Sequence, residues 1–198
     1  RKPPITRDPA KSAAAGVTER DANWRSLRGQ SLQCNELEKG YFNSGVLLIN
    51  TLAWAQESVS AKAMSMLADK AVVSRLTYMD QDILNLILSG KVKFIDAKYN
   101  TQFSLNYELK KSFVCPINDE TVLIHYVGPT KPWHYWAGYP SAQPFIKGKE
   151  ASPWKNEPLM RPVNSNYARY CAKHNFKQNK PINGIMNYIY YFYLKIIK

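Results

Sequence analysis

The stretch I-H-Y-V-G-P-T-K-P-W-H-Y-W at residues 124–136 decides how the fold of this chain is interpreted. It follows an apolar run typical of a strand and contains a histidine, a glycine turn, a lysine and clustered aromatic residues. His125 can ligate a divalent cation, Gly128 lets the backbone approach a phosphate, and Lys131 supplies positive charge, while the tryptophans offer faces for a sugar ring. The pattern is typical of a site for a metal-bound sugar diphosphate. The alternative is a buried strand followed by an aromatic, proline-locked turn.

Strands alternate with helices along the middle of the chain. Apolar runs predict a buried strand at residues 45–49 and further strands at 92–97 and 121–127. Apolar residues at helical spacing predict a helix from about residue 51 to residue 69. A second helix is expected over residues 80–88, capped by the aspartate at its first position. This alternation predicts an α/β layer.

Two further segments carry a resemblance to a known family. Y-F-N-S-G-V-L-L-I-N occupies residues 41–50, and M-D-Q-D-I-L-N occupies residues 79–85. Together with H-Y-V-G-P-T-K-P-W at residues 125–133, and in this order, they resemble the signature segments of glycosyltransferase family 8, retaining enzymes that use nucleotide-activated hexoses. Within that family, the chain is most similar to bacterial enzymes that add hexoses to the lipopolysaccharide outer core. Y-N-T-Q-F-S-L-N-Y at 99–107 and A-S-P-W-K-N at 151–156 are also typical of these enzymes.

The resemblance implies a GT-A type fold, a mixed α/β sheet with nucleotide-binding character. Family members begin with a nucleotide-binding half that contains a D-x-D motif for a divalent metal, and nothing before Tyr41 supplies this motif. The chain is therefore expected to be a C-terminal portion that lacks the N-terminal half. The literal D-x-D at Asp80–Asp82 is not expected to form a metal site by itself, because residues two apart do not share a face of a helix.

The same resemblance implies contacts to the donor sugar. Asn43 and Ser44 would bind its hydroxyl groups, and Asp80 would accept hydrogen bonds from the same ring. Gln81 would lie beneath the anomeric carbon. Because a glutamine is a poor nucleophile, the favoured mechanism is front-face attack by the acceptor hydroxyl, with the Gln81 carbonyl oxygen stabilising an oxocarbenium-like state. Asp80 or Asp82 as a nucleophile is the alternative, and for all these residues helix capping or strand-end hydrogen bonding is the structural alternative.

The resemblance also implies the groups that hold the leaving diphosphate. His125 would be the third protein ligand of Mn²⁺ or Mg²⁺, together with two aspartates of the upstream motif. Gly128 and Lys131 would hold the diphosphate, and the lysine would stabilise charge that grows in the transition state. The implied donor is UDP-galactose or UDP-glucose, with galactose slightly preferred, and the implied acceptor is the lipopolysaccharide core, in an α-1,3 linkage.

The C-terminal part of the chain is basic and aromatic. Residues 147–198 carry ten basic and two acidic side chains, which is +8 of the total charge of +12. After a helix that begins near residue 165, the run I-M-N-Y-I-Y-Y-F-Y-L-K-I-I at 185–197 combines apolar residues with interfacial tyrosines and a lysine. It is too short and too polar to span a bilayer. Residues 147–198 are therefore predicted to lie on an anionic membrane surface, and the protein is expected to be cytoplasmic and peripheral on the inner membrane. A terminal helix packed on the core is the alternative.

The two ends of the chain differ in composition. Residues 1–16 contain three prolines and no aromatic residue, and they are expected to form a flexible or non-native leader. Residues 17–146 would form the C-terminal part of the catalytic domain. The three cysteines have no paired spacing, which favours reduced thiols over a disulfide framework or a zinc site.

Two other classes of protein remain as alternatives. A catalytically inactive, truncated remnant would keep the fold and the membrane affinity but bind no nucleotide sugar. A basic nucleic-acid-binding protein would use the tail tyrosines as stacking platforms. The second alternative is disfavoured because the lysines and tyrosines of the tail lie in successive blocks rather than interleaved, so no nucleic acid is expected as a partner.

Overall fold

In the computed structural model, which describes residues 12–19 and 21–197, the chain divides between Asn100 and Thr101 into two units. The first unit is built on a three-stranded mixed sheet. Its central strand is β1 (Ala14–Thr18), with β2 (Phe42–Ile49) antiparallel on one side and β3 (Val92–Phe94) parallel on the other. The helices of this unit are α1 (Ala22–Ser31), α2 (Thr51–Gln56), α3 (Val59–Ala68), α4 (Lys70–Val73) and α5 (Met79–Ile87).

Small residues allow the central strand to be buried. Ala13 and Ala14 pack with Phe42, Val59 and Leu88 in one apolar cluster, and all five are at most 3% exposed. An added methyl group on Gly16, in the same strand, would lie 2.9 Å from Leu47 Cδ2. The close packing of β1 against β2 therefore depends on small side chains.

This strand corrects the predicted leader. Residues 14–16, expected to be flexible or non-native, belong to the most buried strand of the first unit. The prediction was wrong at this boundary because A-A-A-G contains no large apolar residue and hence no readable strand alternation. Residues 1–11, the rest of the predicted leader, lie outside the described residues.

The predicted helix at 51–69 is interrupted. Asn50 caps α2, accepting a hydrogen bond from the Ala53 amide over 3.1 Å. Ser58 then adopts a left-handed conformation with φ of 51°, which ends α2 and starts α3 in a new direction. The strand predicted at 45–49 begins earlier, at Phe42. Its last two residues are exposed rather than buried, and the exposed fraction of Leu48 is 73%. β2 is an edge strand, so only its first residues are enclosed.

The second unit contains a two-stranded parallel sheet and three helices. β4 (Thr101–Phe103) pairs with β5 (Ile124–Tyr126), which is shorter than the strand predicted at 121–127. Asn164 caps the helix expected near residue 165, accepting from the Tyr167 amide over 2.8 Å. The helices are α6 (Gln143–Glu150), α7 (Ser165–Lys177) and α8 (Pro181–Ile196). The apolar cluster of this unit consists of Phe103, Leu105, Ala137, Tyr139 and Ala142.

Helix α8 is apolar on two sides. Its inner side packs on α7, where Gly184 is buried and lies against the Phe176 ring. Its outer side is exposed. No charged residue occurs between residues 181 and 194. The outer side carries Ile182, Ile185, Ile189, Phe192 and Ile196, all at least 53% exposed. None of the helices among the described residues combines the length and apolar character needed to cross a membrane.

If β1 is part of the native core, charge will not be tolerated in it. We expect Ala14→Asp to lower the free energy of unfolding by about 3 kcal/mol or more, because it buries a carboxylate without a partner. Ala22→Asp is the matched control, since Ala22 is exposed in the first turn of α1, where a negative charge is favourable and stability should change by less than about 0.5 kcal/mol. Urea unfolding measures both. Equal stabilities of the two variants would contradict the assignment.

Candidate functional site

The four residues predicted to contact the donor sugar lie together where β2 and α5 begin. Gln81 Oε1 accepts hydrogen bonds from Asn43 Nδ2 over 3.1 Å and from the Ser44 amide over 3.1 Å. The Ser44 hydroxyl donates to Asp80 Oδ2 over 2.8 Å. Two segments that are far apart in sequence thus form one polar cluster. The roles of these residues as substrate contacts stay predictions.

Two residues outside the predicted set complete this polar cluster. Asn43 Nδ2 also donates to Glu19 Oε2 over 2.7 Å, and Asn43 Oδ1 accepts from Asn100 Nδ2 over 3.0 Å and from the Gly45 amide over 3.0 Å. Glu19 and Asn100 are both buried. Glu19 directly follows β1, and because that strand has no readable sequence pattern, no sequence signal points to Glu19. Asn43 therefore joins four neighbours, and its amide is better placed to hold the cluster than to bind a sugar.

Asp80 is the exposed carboxylate of the polar cluster. The side chain of Gln81 is nearly buried, and its carbonyl oxygen accepts two hydrogen bonds, which occupy both of its lone pairs. Stabilisation of an oxocarbenium-like state by that oxygen would compete with these bonds. Asp80, in contrast, is exposed and held by one hydroxyl donor. Of these two residues, Asp80 is therefore the one whose side chain is accessible to a ligand.

Asp82 has a different role from its neighbour. It is fully buried, and its Oδ1 accepts from Arg28 Nε over 2.9 Å and from the Tyr41 hydroxyl over 2.6 Å. Its Oδ2 accepts from the amides of Thr77 and Tyr78, over 2.8 and 2.7 Å, and from a second nitrogen of Arg28. This enclosure excludes Asp82 as a nucleophile. The predicted cap of α5 by Asp80 was wrong, because the helix begins at Met79 with Tyr78 at the N-cap position and has no side-chain cap. Asp82 instead accepts from the two amides just before the helix.

Charge is fixed in this buried network. Burial alone raises the pKa of the Asp82 carboxyl, but hydrogen bonds from Arg28, Tyr41 and the backbone outweigh burial and hold that pKa below its ordinary value. Burial also raises the pKa of Tyr41 well above its usual range, so its hydroxyl remains a donor. Because the folded-state pKa of Asp82 is depressed, its stabilising effect is present at neutral pH and is lost as the pH falls through that pKa.

Removal of the Asp82 carboxylate should leave Arg28 buried without its partner. We expect Asp82→Ala to lower the free energy of unfolding by about 3–5 kcal/mol, the usual cost of breaking a buried ion pair. Asp80→Ala removes an exposed carboxylate two residues away and should cost less than about 1 kcal/mol. Chemical denaturation at neutral pH distinguishes the two. A stable Asp82→Ala protein would show that this network does not hold α5.

The second unit places His125, Gly128 and Lys131 in and after β5. His125 is half-buried and lines an open cleft of about 690 Å³ together with Lys131 and Trp133. Gly128 has φ of 81°, and an added methyl group there would lie 2.8 Å from Ser104 Oγ, so this turn requires glycine. We call residues 128–131 the GPTK loop.

The lysine of the GPTK loop is held inside the cleft. Lys131 Nζ donates to the Tyr126 carbonyl oxygen over 2.6 Å, and desolvation by burial lowers its pKa. Among the tryptophans predicted to offer faces for a sugar, Trp133 is 41% exposed and borders the cleft. Trp136 is buried, so that part of the prediction was wrong. Its ring packs 4.2 Å from the ring of His134.

A metal site is incomplete in the described part of the chain. No group of three or more His, Cys, Asp or Glu side chains suited to a metal ion occurs there. His125 supplies one imidazole donor, which suits Mn²⁺ or Mg²⁺ only together with oxygen ligands. The two upstream aspartates expected to complete the site stay a prediction. The three cysteines are free thiols.

Comparison with known proteins identifies the class that this fold and these residues define. Residues 5–137 match the family model for glycosyl transferase family 8, and residues 139–195 match that for the family 8 C-terminal region. The chain belongs to glycosyl transferase family 8, and the predicted family is confirmed. The match begins within the segment predicted to be a leader.

The relatives are enzymes of lipopolysaccharide synthesis by name. The chain is 51% identical to lipopolysaccharide glucosyltransferase WaaO of Escherichia coli, over 95% of this chain and 56% of the relative. It is 49% identical to lipopolysaccharide 1,3-galactosyltransferase of Salmonella typhimurium, over 93% of this chain and 55% of the relative. The chain thus spans about half the length of these relatives, in their C-terminal part.

A solved structure supports the fold. The galactosyltransferase LgtC in complex with donor and acceptor sugar analogs matches with a TM-score of 0.53 and 25% identity, over 72% of this chain and 53% of that one. LgtC is a GT-A glycosyltransferase, so the predicted GT-A type mixed α/β fold is confirmed.

Proposed function

We propose that this chain acts in a retaining hexosyltransferase that moves galactose or glucose from a UDP-sugar to the lipopolysaccharide core, in an α-1,3 linkage. The observation that carries the proposal is the preorganised polar cluster. In it the Ser44 hydroxyl donates to Asp80 Oδ2 over 2.8 Å, and the Asp80 carboxylate is exposed to solvent. The names of two relatives, at 51% and 49% identity, support the substrate class. One is a glucosyltransferase and the other a galactosyltransferase, so both donors stay in the proposal.

The polar cluster would act on the sugar as its bond to the diphosphate breaks. The exposed carboxylate of Asp80 and the hydroxyl of Ser44 would bind ring hydroxyl groups. As positive charge develops at the anomeric carbon, the fixed negative charge of Asp80 would stabilise it more than it stabilises the ground state. The acceptor hydroxyl attacks from the face that the diphosphate leaves, and its proton passes to a diphosphate oxygen. Gln81 and Asn43 would hold the geometry of the cluster.

The GPTK loop would receive the leaving diphosphate. Gly128 gives the loop its positive φ close against Ser104 and would contact the phosphate through its backbone, and Lys131 presents a positive charge in the cleft. His125 lines the same cleft and is proposed as one ligand of Mn²⁺ or Mg²⁺, with the remaining ligands from outside the described residues. When bound, such a cation would neutralise charge on the diphosphate.

Loss of the Lys131 charge should slow turnover more than it weakens substrate binding. We expect Lys131→Ala to lower kcat by about 100-fold with a smaller change in KM, because the charge that this lysine meets grows in the transition state. Lys111→Ala removes an exposed lysine outside the cleft and is the matched control. Transfer from UDP-galactose and UDP-glucose to a lipopolysaccharide acceptor, with and without Mn²⁺, is the measurement. A folded wild-type protein that neither binds nor turns over UDP-sugars would favour the inactive remnant instead.

The exposed side of α8 is proposed to lie on an anionic membrane. Its isoleucines and phenylalanine form one apolar stripe, and the residues from 147 onward contribute +8 of net charge. Burial of such a stripe at the headgroup level, with lysines beside it, is favourable on anionic lipid. A lipid-linked acceptor would then meet the enzyme at the membrane surface. The proposed location of the protein is accordingly cytoplasmic, on the inner face of the inner membrane.

Charge on this stripe should weaken membrane binding. We expect Ile185→Glu with Ile189→Glu to reduce sedimentation with phosphatidylglycerol vesicles by about tenfold or more, through lost apolar burial and added repulsion. Val114→Glu with Val122→Glu adds the same charge at two exposed apolar positions outside α8 and should leave binding nearly unchanged. Neutral phosphatidylcholine vesicles test the electrostatic part. Equal binding by both double variants would remove α8 from the proposal.

A further inference from the structure

Helix α7 carries a fully buried histidine that contacts the GPTK loop. His174 Nε2 lies 3.1 Å from Thr130 Oγ1 and 3.1 Å from Asn106 Oδ1. Its Nδ1 lies 2.7 Å from the Tyr139 hydroxyl. The three partners come from three different segments of the second unit. This single imidazole therefore ties α7 to the turn after β4, to the GPTK loop and to the segment before α6.

The partners of His174 determine which nitrogen of the neutral ring carries the proton. Asn106 Oδ1 can only accept a hydrogen bond, so Nε2 carries the proton and Nδ1 accepts from the Tyr139 hydroxyl. Desolvation by burial lowers the pKa of His174 to about 4, so the ring is neutral at neutral pH. A neutral imidazole with all its polar atoms hydrogen-bonded is a rigid connection, whereas an apolar side chain of similar size would give packing alone.

A second buried histidine holds the next residue of the loop. His134 Nδ1 accepts from the Lys131 amide over 3.1 Å, and its ring is packed against that of Trp136. Thr130 is thus fixed through its side chain and Lys131 through its backbone. The ammonium group of Lys131 is in turn 2.6 Å from the Tyr126 carbonyl oxygen. The backbone that carries the cleft lysine is restrained from both sides.

We infer that His174 is a positioning residue that holds the GPTK loop, through Thr130, in the conformation in which Lys131 meets the diphosphate. The inference rests on the proposed function of Lys131. A charged group contributes to binding and rate only when its backbone holds it near the required position, and a displacement of about 1 Å is costly. His174 itself touches no substrate, because it is fully buried.

Three variants and a control separate positioning from general stability. Thr130→Val removes only the loop hydroxyl, and His174→Leu removes both imidazole nitrogens. His174→Gln returns an N–H donor near the position of Nε2 and is the conservative rescue. Asn175→Leu is the control, because it also removes a buried polar side chain from α7. The hydrogen bonds of the Asn175 side chain run to Cys171 and not to the GPTK loop.

Amide hydrogen exchange of the full chain without ligand is the first measurement. Exchange of residues 127–134 should rise about tenfold in Thr130→Val and His174→Leu, return toward wild type in His174→Gln, and stay unchanged in Asn175→Leu even if that control lowers the melting temperature. Unchanged exchange of the loop in His174→Leu and in Thr130→Val would overturn the inference.

Titration with UDP and Mn²⁺ is the second measurement. We expect Thr130→Val and His174→Leu each to weaken UDP binding by about fivefold to tenfold, and the double variant to bind no more weakly than the worse single variant, because both remove one connection. Fully additive losses would overturn the inference. If Lys131→Ala weakens UDP binding but neither of these variants does, the inference fails while the proposed function stands. If Lys131→Ala changes neither UDP binding nor kcat, the proposed function fails.

Discussion

The buried ion pair between Arg28 and Asp82 is the constraint on which the candidate site of the first unit depends. Asp82 is enclosed by a guanidinium, a phenol and two amides, and it fixes the first turn of α5 against α1 and the start of β2. The residues immediately before it, Asp80 and Gln81, are thereby brought to the polar end of β2. The exposed and the buried aspartates of one D-x-D sequence thus have separate tasks. One is available to a ligand, and the other gives it a fixed position.

The second unit holds its candidate residue, Lys131, without a buried ion pair. Its cleft lysine is held by neutral groups, because His134 and His174 both have pKa values lowered to about 4, chiefly by desolvation. Neutral histidines can fix a loop beside a proposed cation and diphosphate without adding charge of their own. A buried guanidinium in the same place would compete with Lys131 for the ligand. The two units thus fix their candidate groups differently, by a buried ion pair in the first and by neutral imidazoles in the second.

The sequence predicts the candidate site correctly where polar residues occur in segments that match the family in the expected order. The segments around Asn43 and Gln81 could be assigned to one site because both resemble family segments, and the structure does bring them together. The sequence does not predict the roles of small residues in a strand or of buried polar side chains. Residues 14–16 of β1 fall within the predicted leader because alanine and glycine give no periodicity. The buried role of Asp82 could not be predicted because it depends on Arg28, 54 residues away. His174 carried no signal for the same reason, since its partner Thr130 is 44 residues away in sequence.

Glucose and galactose differ in the orientation of one hydroxyl, so specificity rests on contacts to that group. Overall sequence identity does not decide between them, since a glucosyltransferase and a galactosyltransferase are almost equally similar to the chain. Such discrimination needs polar groups that cannot adapt. In the polar cluster, Ser44 is fixed at both its amide and its hydroxyl, by Gln81 and Asp80. Asn43 links this pair to the buried Glu19. A hydroxyl in the wrong orientation would have to break one of these bonds or leave Asp80 unpaired, at about 1–3 kcal/mol per unmade hydrogen bond. Under the proposed function, the rigidity that positions Asp80 would also be the physical basis for distinguishing the two hexoses.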